Sequence, residues 1–107
     1  MSNYRYMRSL IMFDLPVETA SQRRDYRKFV KFLKEQGFIM FQESIYVKLS
    51  MNGAAVKALA KTVKDNVPSE GLVSMITVTE KQFGSMDFML GDFETDIVDS
   101  DERVIEI

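Results

Sequence analysis

Apolar positions along this chain change period several times, and each change marks an element. From Tyr6 to Asp14 both alternating sets are apolar, Leu10 and Met12 against Ile11 and Phe13. That pattern predicts a strand buried on both faces, in the middle of a sheet. Pro16 ends it, because proline cannot donate to a ladder. Thr19 then opens a helix, with Gln22 at capping-box spacing. Tyr26, Phe29, Val30 and Leu33 recur at helical spacing, and Gly37 supplies the stop. Phe38–Gln42 and Ile45–Leu49 read as strands rich in β-branched and aromatic residues. Their junction at Glu43–Ser44 is either a tight turn or a bulge in one bent strand.

Asn52–Gly53 begins a second helix, with Val56, Leu59, Ala60 and Val63 inward and Lys57, Lys61 and Lys64 outward. Pro68 and Gly71 close it. Leu72 to Thr79 alternates as another strand. The order strand, helix, strand, strand, helix, strand predicts an α+β, ferredoxin-like β-α-β-β-α-β sandwich. Beyond it, Lys81 to Leu90 reads as a turn or short helix followed by a strand near Asp87–Leu90. Asp92 to Glu102 reads as acidic loop, and Val104–Ile107 as a terminal strand that needs an edge to pair with. The expectation is one domain over residues 1–107, with a core at 1–80. A C-terminal extension at 81–107 is expected at the interface of a homodimer.

Composition narrows the chemistry. The chain holds neither cysteine nor histidine, so thiol nucleophiles, disulfides and the usual zinc ligands are excluded. Carboxylates, hydroxyls, Tyr, Lys, Arg or a bound hard cation remain. Arg5 and Arg8 interrupt the N-terminal stretch, so neither a signal peptide nor a membrane span is expected, and the default location is cytoplasmic. A net charge of −2 hides a split: residues 1–64 carry +7 and residues 65–107 carry −9. At 100° per residue, Arg23, Arg24, Arg27, Lys28, Lys31 and Lys34 form one continuous arc opposite the apolar stripe of the first helix. Such an arc suits phosphate contact and salt-dependent nucleic-acid binding. The whole-chain pI of 5.1 fits a component that shares its substrate with a more basic partner.

Asp14 is the most informative single residue. It follows an apolar run at the end of a central strand, where a carboxylate can hold a divalent cation. The competing reading is a turn cap that accepts backbone amides before the helix. One carboxylate makes a thin metal site, and a two-fold dimer would supply a second copy. The aromatics sit at core periods, and the eight methionines read as adaptable core or interface filler. Ser44 and Ser74 have no visible base, and no phosphate-binding glycine loop occurs.

Several segments together carry a family resemblance. MRSLIMFDLP, RRDYRKFVKFLKEQGFIMFQESIYVKL, ITVTEKQF and SDERV, in that order over nearly the whole chain, resemble the CRISPR-associated protein Cas two family, closest to its type II-A form. The resemblance implies a ferredoxin-like homodimer whose C-terminal strands help complete the partner's sheet. It implies a scaffold between dimers of the Cas one integrase that holds duplex DNA during spacer acquisition. In some members it also implies metal-dependent cleavage of RNA or duplex DNA. The family's functional aspartate falls on Asp14, with Mg2+ or another divalent metal as its expected ligand. The family's basic residues fall on Arg23, Arg24 and Arg27, and Lys28 and Lys31 extend the same face. The segment FGSMDFMLGDFETD is more acidic than the family pattern, which argues against DNA contacts from the tail and leaves it a docking role.

Three readings follow. The first is a dimeric, duplex-binding scaffold of CRISPR adaptation. The second is a metal-dependent endonuclease or endoribonuclease centred on Asp14. The third is a regulatory ferredoxin-like module for a ligand or protein, disfavoured by the cation arc and the missing glycine motif.

Overall fold

Burial on both faces puts the first strand, β1 (Met7–Asp14), between two others in the computed structural model, which describes residues 6–91. It pairs antiparallel with β3 (Ile45–Ser50) on one side and β4 (Leu72–Thr79) on the other. The short strand β2 (Ile39–Gln42) lies outside β3, so the order is β2-β3-β1-β4. This is the antiparallel order of the ferredoxin-like sandwich, as expected from the sequence. The residues of the expected terminal strand, Val104–Ile107, and of the acidic stretch from Asp92 lie outside the described residues.

Side-chain alternation divides the core between the two faces of the sheet. Ile11 and Phe13 of β1 meet Phe29 and Leu33 of α1 (Ala20–Glu35) and Leu59 and Val63 of α2 (Gly53–Lys64). Both long helices therefore cover one face. On the other face Leu10, Phe41 and Val47 form a smaller cluster under Phe83 and Phe88. Phe83 belongs to a short helix, α3 (Glu80–Gly84), which Arg8 pins to β1 through Glu80.

Local signals set most of the boundaries. The Gln22 amide donates to Thr19 Oγ1 at 3.0 Å, and the Thr19 amide donates to Gln22 Oε1 at 3.0 Å, closing the capping box at α1. Gly37 follows that helix at φ +97°, a left-handed conformation glycine takes without strain. The second helix starts on Asn52, whose side chain accepts from the Ala55 amide.

Three expectations need correction. α2 ends at Lys64, ahead of Pro68 and Gly71, so these two residues shape the following loop rather than stop the helix. Ala60 is exposed, so the buried stripe of α2 rests on Leu59 and Val63. Asp87–Leu90 forms no strand within the chain. Phe88 is instead drawn onto Phe41, ring centroids 6.1 Å apart, while Met89 and Leu90 stay exposed. The run Phe88–Leu90 is apolar, but among the described residues no strand pairs with it. Glu43–Ser44 proves to be both a turn and an irregularity. Ser44 adopts φ 66°, and the β2–β3 register shifts between Met40 and Gln42.

Candidate nucleic-acid face and strand-end carboxylate

The end of β1 fixes where Asp14 points. Pairing with β4 continues through Phe13↔Val73 to Asp14↔Leu72, so the backbone of Asp14 is held to the last residue of the strand. Its main chain is hemmed in further by Gly71, at φ +102°. A Cβ on Gly71 would stand 2.7 Å from the Asp14 carbonyl oxygen and 2.8 Å from Leu15 Cδ2. The loop before β4 is also tied to α1, because Gln22 Nε2 donates to Glu70 Oε1 at 2.9 Å.

The carboxylate itself is free. Asp14 is exposed, and its side chain has no hydrogen-bond or ion-pair partner among the described residues. A turn cap would accept at least one backbone amide, so the capping alternative loses its support. By alternation Asp14 shares a side with Leu10 and Met12, the side facing away from α1 and α2.

The cations lie elsewhere. Arg24, Arg27, Lys28 and Lys31 are exposed along the outer surface of α1 without partners among the described residues, and Lys34 continues the row. Arg23 differs, since its Nη1 donates to the carbonyls of Val17 and Glu18, each at 3.0 Å. Arg23 thus holds the loop that follows Asp14 as well as contributing charge. The five site cations form one face. Asp14 stands apart from them, across the sheet. A ligand touching both must wrap around the end of the molecule or bridge two copies.

Sequence reasoning missed a groove. α1 and the β2–β3 hairpin enclose a cleft of about 610 Å³ whose floor includes Tyr26, Val30, Met40 and Tyr46. Arg27, Lys31, Lys34 and Glu35 of α1 line it, together with Glu43 and Ser44 of the hairpin turn. Burial raises the pKa of the Tyr46 hydroxyl, with a smaller push from neighbouring Tyr26. Ser44, at the hairpin turn, adopts φ 66°, and no residue pattern announces it.

Among the described residues no group of three or more His, Cys, Asp or Glu could hold a metal ion, and no helix is long and apolar enough to cross a membrane. Comparison with known proteins gives a consistent answer. The family model for CRISPR associated protein Cas2 matches residues 7–86. A protein of Streptococcus mutans named CRISPR-associated endoribonuclease Cas2 is 46% identical over 99 residues, covering 92% of this chain and 91% of its own. Relatives of the same name from Treponema denticola and Lacticaseibacillus rhamnosus are 42% and 40% identical. They cover 92% and 94% of this chain, and 98% and 100% of their own lengths. With β1 through α3 inside the matched span, the chain belongs to the CRISPR-associated Cas2 family.

Proposed function

We propose that the chain works as a homodimer in CRISPR adaptation, bridging dimers of the integrase and holding duplex prespacer DNA on the α1 cations. The same dimer has a phosphodiester-cleaving centre built from two copies of Asp14, in keeping with relatives named endoribonucleases. The observation that carries this reading is the sheet face opposite the long helices. Ile39, Val47, Leu10 and Ile76 run in register across all four strands, and the row's ends, Ile39 and Ile76, are nearly half exposed. Leu49 and Leu72 extend the apolar surface, and Asp14 stands on its rim. An apolar sheet face of this kind calls for a covering partner, and a second copy supplies one symmetrically. The segment from Lys81 onward, with its terminal strand, contributes to that interface.

Stacking these faces about a two-fold axis would bring the two Asp14 side chains to a common rim. The described residues of a single chain offer no closed metal cage. Magnesium, however, uses one or two carboxylates together with substrate phosphates and water, and two unpartnered Asp14 side chains fit that donor set. The bound cation would supply Lewis-acid stabilisation of the phosphoryl oxygens. Asp14 supplies negative charge without a competing internal partner, and Gly71 and Gln22 keep its backbone in place. The α1 cations neutralise phosphates without reading bases, so they suit duplex of any sequence, as a cytoplasmic scaffold for new spacers requires.

Mixing the purified chain with the neighbouring integrase tests the scaffold reading. The expected result is a complex containing both proteins, with integration of a labelled duplex that depends on this chain. Integration that proceeds equally well without it would contradict the reading.

A further inference from the structure

The cleft between α1 and the β2–β3 hairpin is used by neither the apolar sheet face nor Asp14. We propose that it takes one unpaired nucleotide: its phosphate meets the hydroxyls of Tyr26 and Tyr46 beside Arg27 and Lys31, and its base lies on Val30 and Met40. The ligand is a nucleoside 5′-monophosphate unit, either free or at the end of a nucleic-acid strand. Arg27 and Lys31 are shared with the duplex reading above, and the tyrosines and the apolar floor are not.

The tyrosines carry the argument. Tyr46 is only 5% exposed, yet its hydroxyl has no hydrogen-bond partner among the described residues. No fully buried side-chain oxygen there is left unsatisfied, so the Tyr46 oxygen reaches the surface, and the cleft is the surface that Tyr46 lines. A phenol this enclosed ordinarily bonds to a protein group. Phe13 fixes both rings, stacking on Tyr46 with centroids 5.8 Å apart and meeting Tyr26 edge-on at 5.9 Å. Burial, and then Tyr26, raises the Tyr46 pKa, which keeps this phenol a protonated donor at neutral pH and marks the two hydroxyls as neighbours. Two fixed O–H donors beside an Arg and a Lys suit an anionic oxygen.

The rest of the lining narrows the anion to a nucleotide. Arg27, Lys31 and Lys34 have no ion-pair partner among the described residues, so an anion displaces nothing. Glu35 and Glu43 offset two of these three charges, a balance that suits a single phosphate and repels a run of them. The same carboxylates can accept from ribose hydroxyls or from an exocyclic amine of a base. Met40, the cross-strand partner of Tyr46, is 45% exposed beside half-buried Val30. That apolar floor suits a planar base, with the thioether against the ring. A sugar phosphate would leave Met40 uncovered, and a fatty acid would leave both carboxylates without a donor. At about 610 Å³ the cleft falls within the range of about 300–1,000 Å³ usual for small-molecule sites.

The test titrates the four ribonucleoside 5′-monophosphates, and inorganic phosphate separately, into the full chain and follows amide and methyl resonances. The expected result is saturable binding of at least one nucleotide, with shifts at Val30, Met40 and Tyr46. Tyr46→Phe keeps the ring on Phe13 and removes only the donor. It should weaken nucleotide binding about tenfold, the effect of losing one hydrogen bond to a charged group. The proposal is overturned if no nucleotide saturates at millimolar concentration, or if Tyr46→Phe binds as tightly as the native chain. Equal shifts from inorganic phosphate at the same concentrations also overturn it, because the cleft then reads no base. Fluorescence anisotropy separates the two sources, using a blunt duplex and one with a single unpaired, 5′-phosphorylated end nucleotide. Tighter binding of the second, erased by Tyr46→Phe, upholds the site with a strand end as its ligand. Equal binding of both duplexes, with mononucleotide still saturating, upholds it with a free nucleotide. Saturable nucleotide binding without any duplex binding upholds the cleft and removes the nucleic-acid role of α1 instead.

Discussion

Asp14 and Leu72 face each other across the β1–β4 register, so a free carboxylate and a leucine that is 69% exposed stand side by side on one sheet face. Neither makes sense alone. An exposed leucine at a strand start gains by being covered, and a lone carboxylate gains function by meeting a second one. Stacking two copies of this face, as proposed, would satisfy both.

Light scattering should therefore report roughly twice the 12.4 kDa chain mass. Ile76→Glu places a charge at the exposed β4 end of the apolar row and should yield monomer with the helical content retained. Deleting residues 103–107 should weaken the dimer less. A dimer unchanged by Ile76→Glu would place the interface elsewhere.

Gly71 offers a test of the loop that holds Asp14. Alanine there meets the Asp14 carbonyl oxygen at 2.7 Å in a left-handed conformation that costs about 1–3 kcal/mol for other residues. Thermal denaturation should show Gly71→Ala melting lower by about 4 °C or more, given the usual dependence for a domain of this size. Gly53→Ala is the control, since nothing lies within 4 Å of its added carbon.

On α1, charge reversal at Arg24, Arg27 and Lys31 should weaken duplex binding and flatten its salt dependence. Each lost phosphate contact lowers the log–log slope by about 0.9. Arg23→Ala should behave differently. It also removes two hydrogen bonds to Val17 and Glu18, so unfolding experiments should show a further loss of about 0.5–1 kcal/mol, which Arg24→Ala should not.

Tyr46 gives a pH dependence with a definite sign. Its pKa is raised on folding from the ordinary 10.0, because burial opposes the charged phenolate. The stabilisation linked to this shift is complete below the unfolded value and is lost as pH rises through the folded value. Stability measured by denaturant should fall in the alkaline range above pH 10.0, and Tyr46→Phe should flatten that fall.

Much of this architecture was legible in the residues. Thr19 and Gln22 announced their capping box, doubly apolar β1 announced a central strand, and the 100° rule placed the α1 cations on one surface. Asp14 could be located at a strand end because Pro16 follows it. What escaped depends on contacts distant in sequence or on backbone detail. Arg8 and Glu80 are 72 residues apart, and only the fold brings them within 2.6 Å. The groove is lined in part by Ser44 at φ 66°, a residue type with no strong preference for that conformation. Asp87–Leu90 shows the reverse failure, since a short apolar run does not by itself supply the partner a strand needs. Gly71 looked like a helix stop and instead permits two backbones to touch.

Asp14→Asn tests the central claim most directly, with cleavage and integration measured on the same preparation. The substitution keeps size and hydrogen-bonding capacity while removing the charge that attracts a hard cation. The prediction is a folded dimer that binds the integrase and supports spacer integration at close to the native level, while metal-dependent cleavage of RNA or duplex collapses. A folded, dimeric Asp14→Asn protein that fails in integration would contradict the account, because the carboxylate itself would then take part in acquisition.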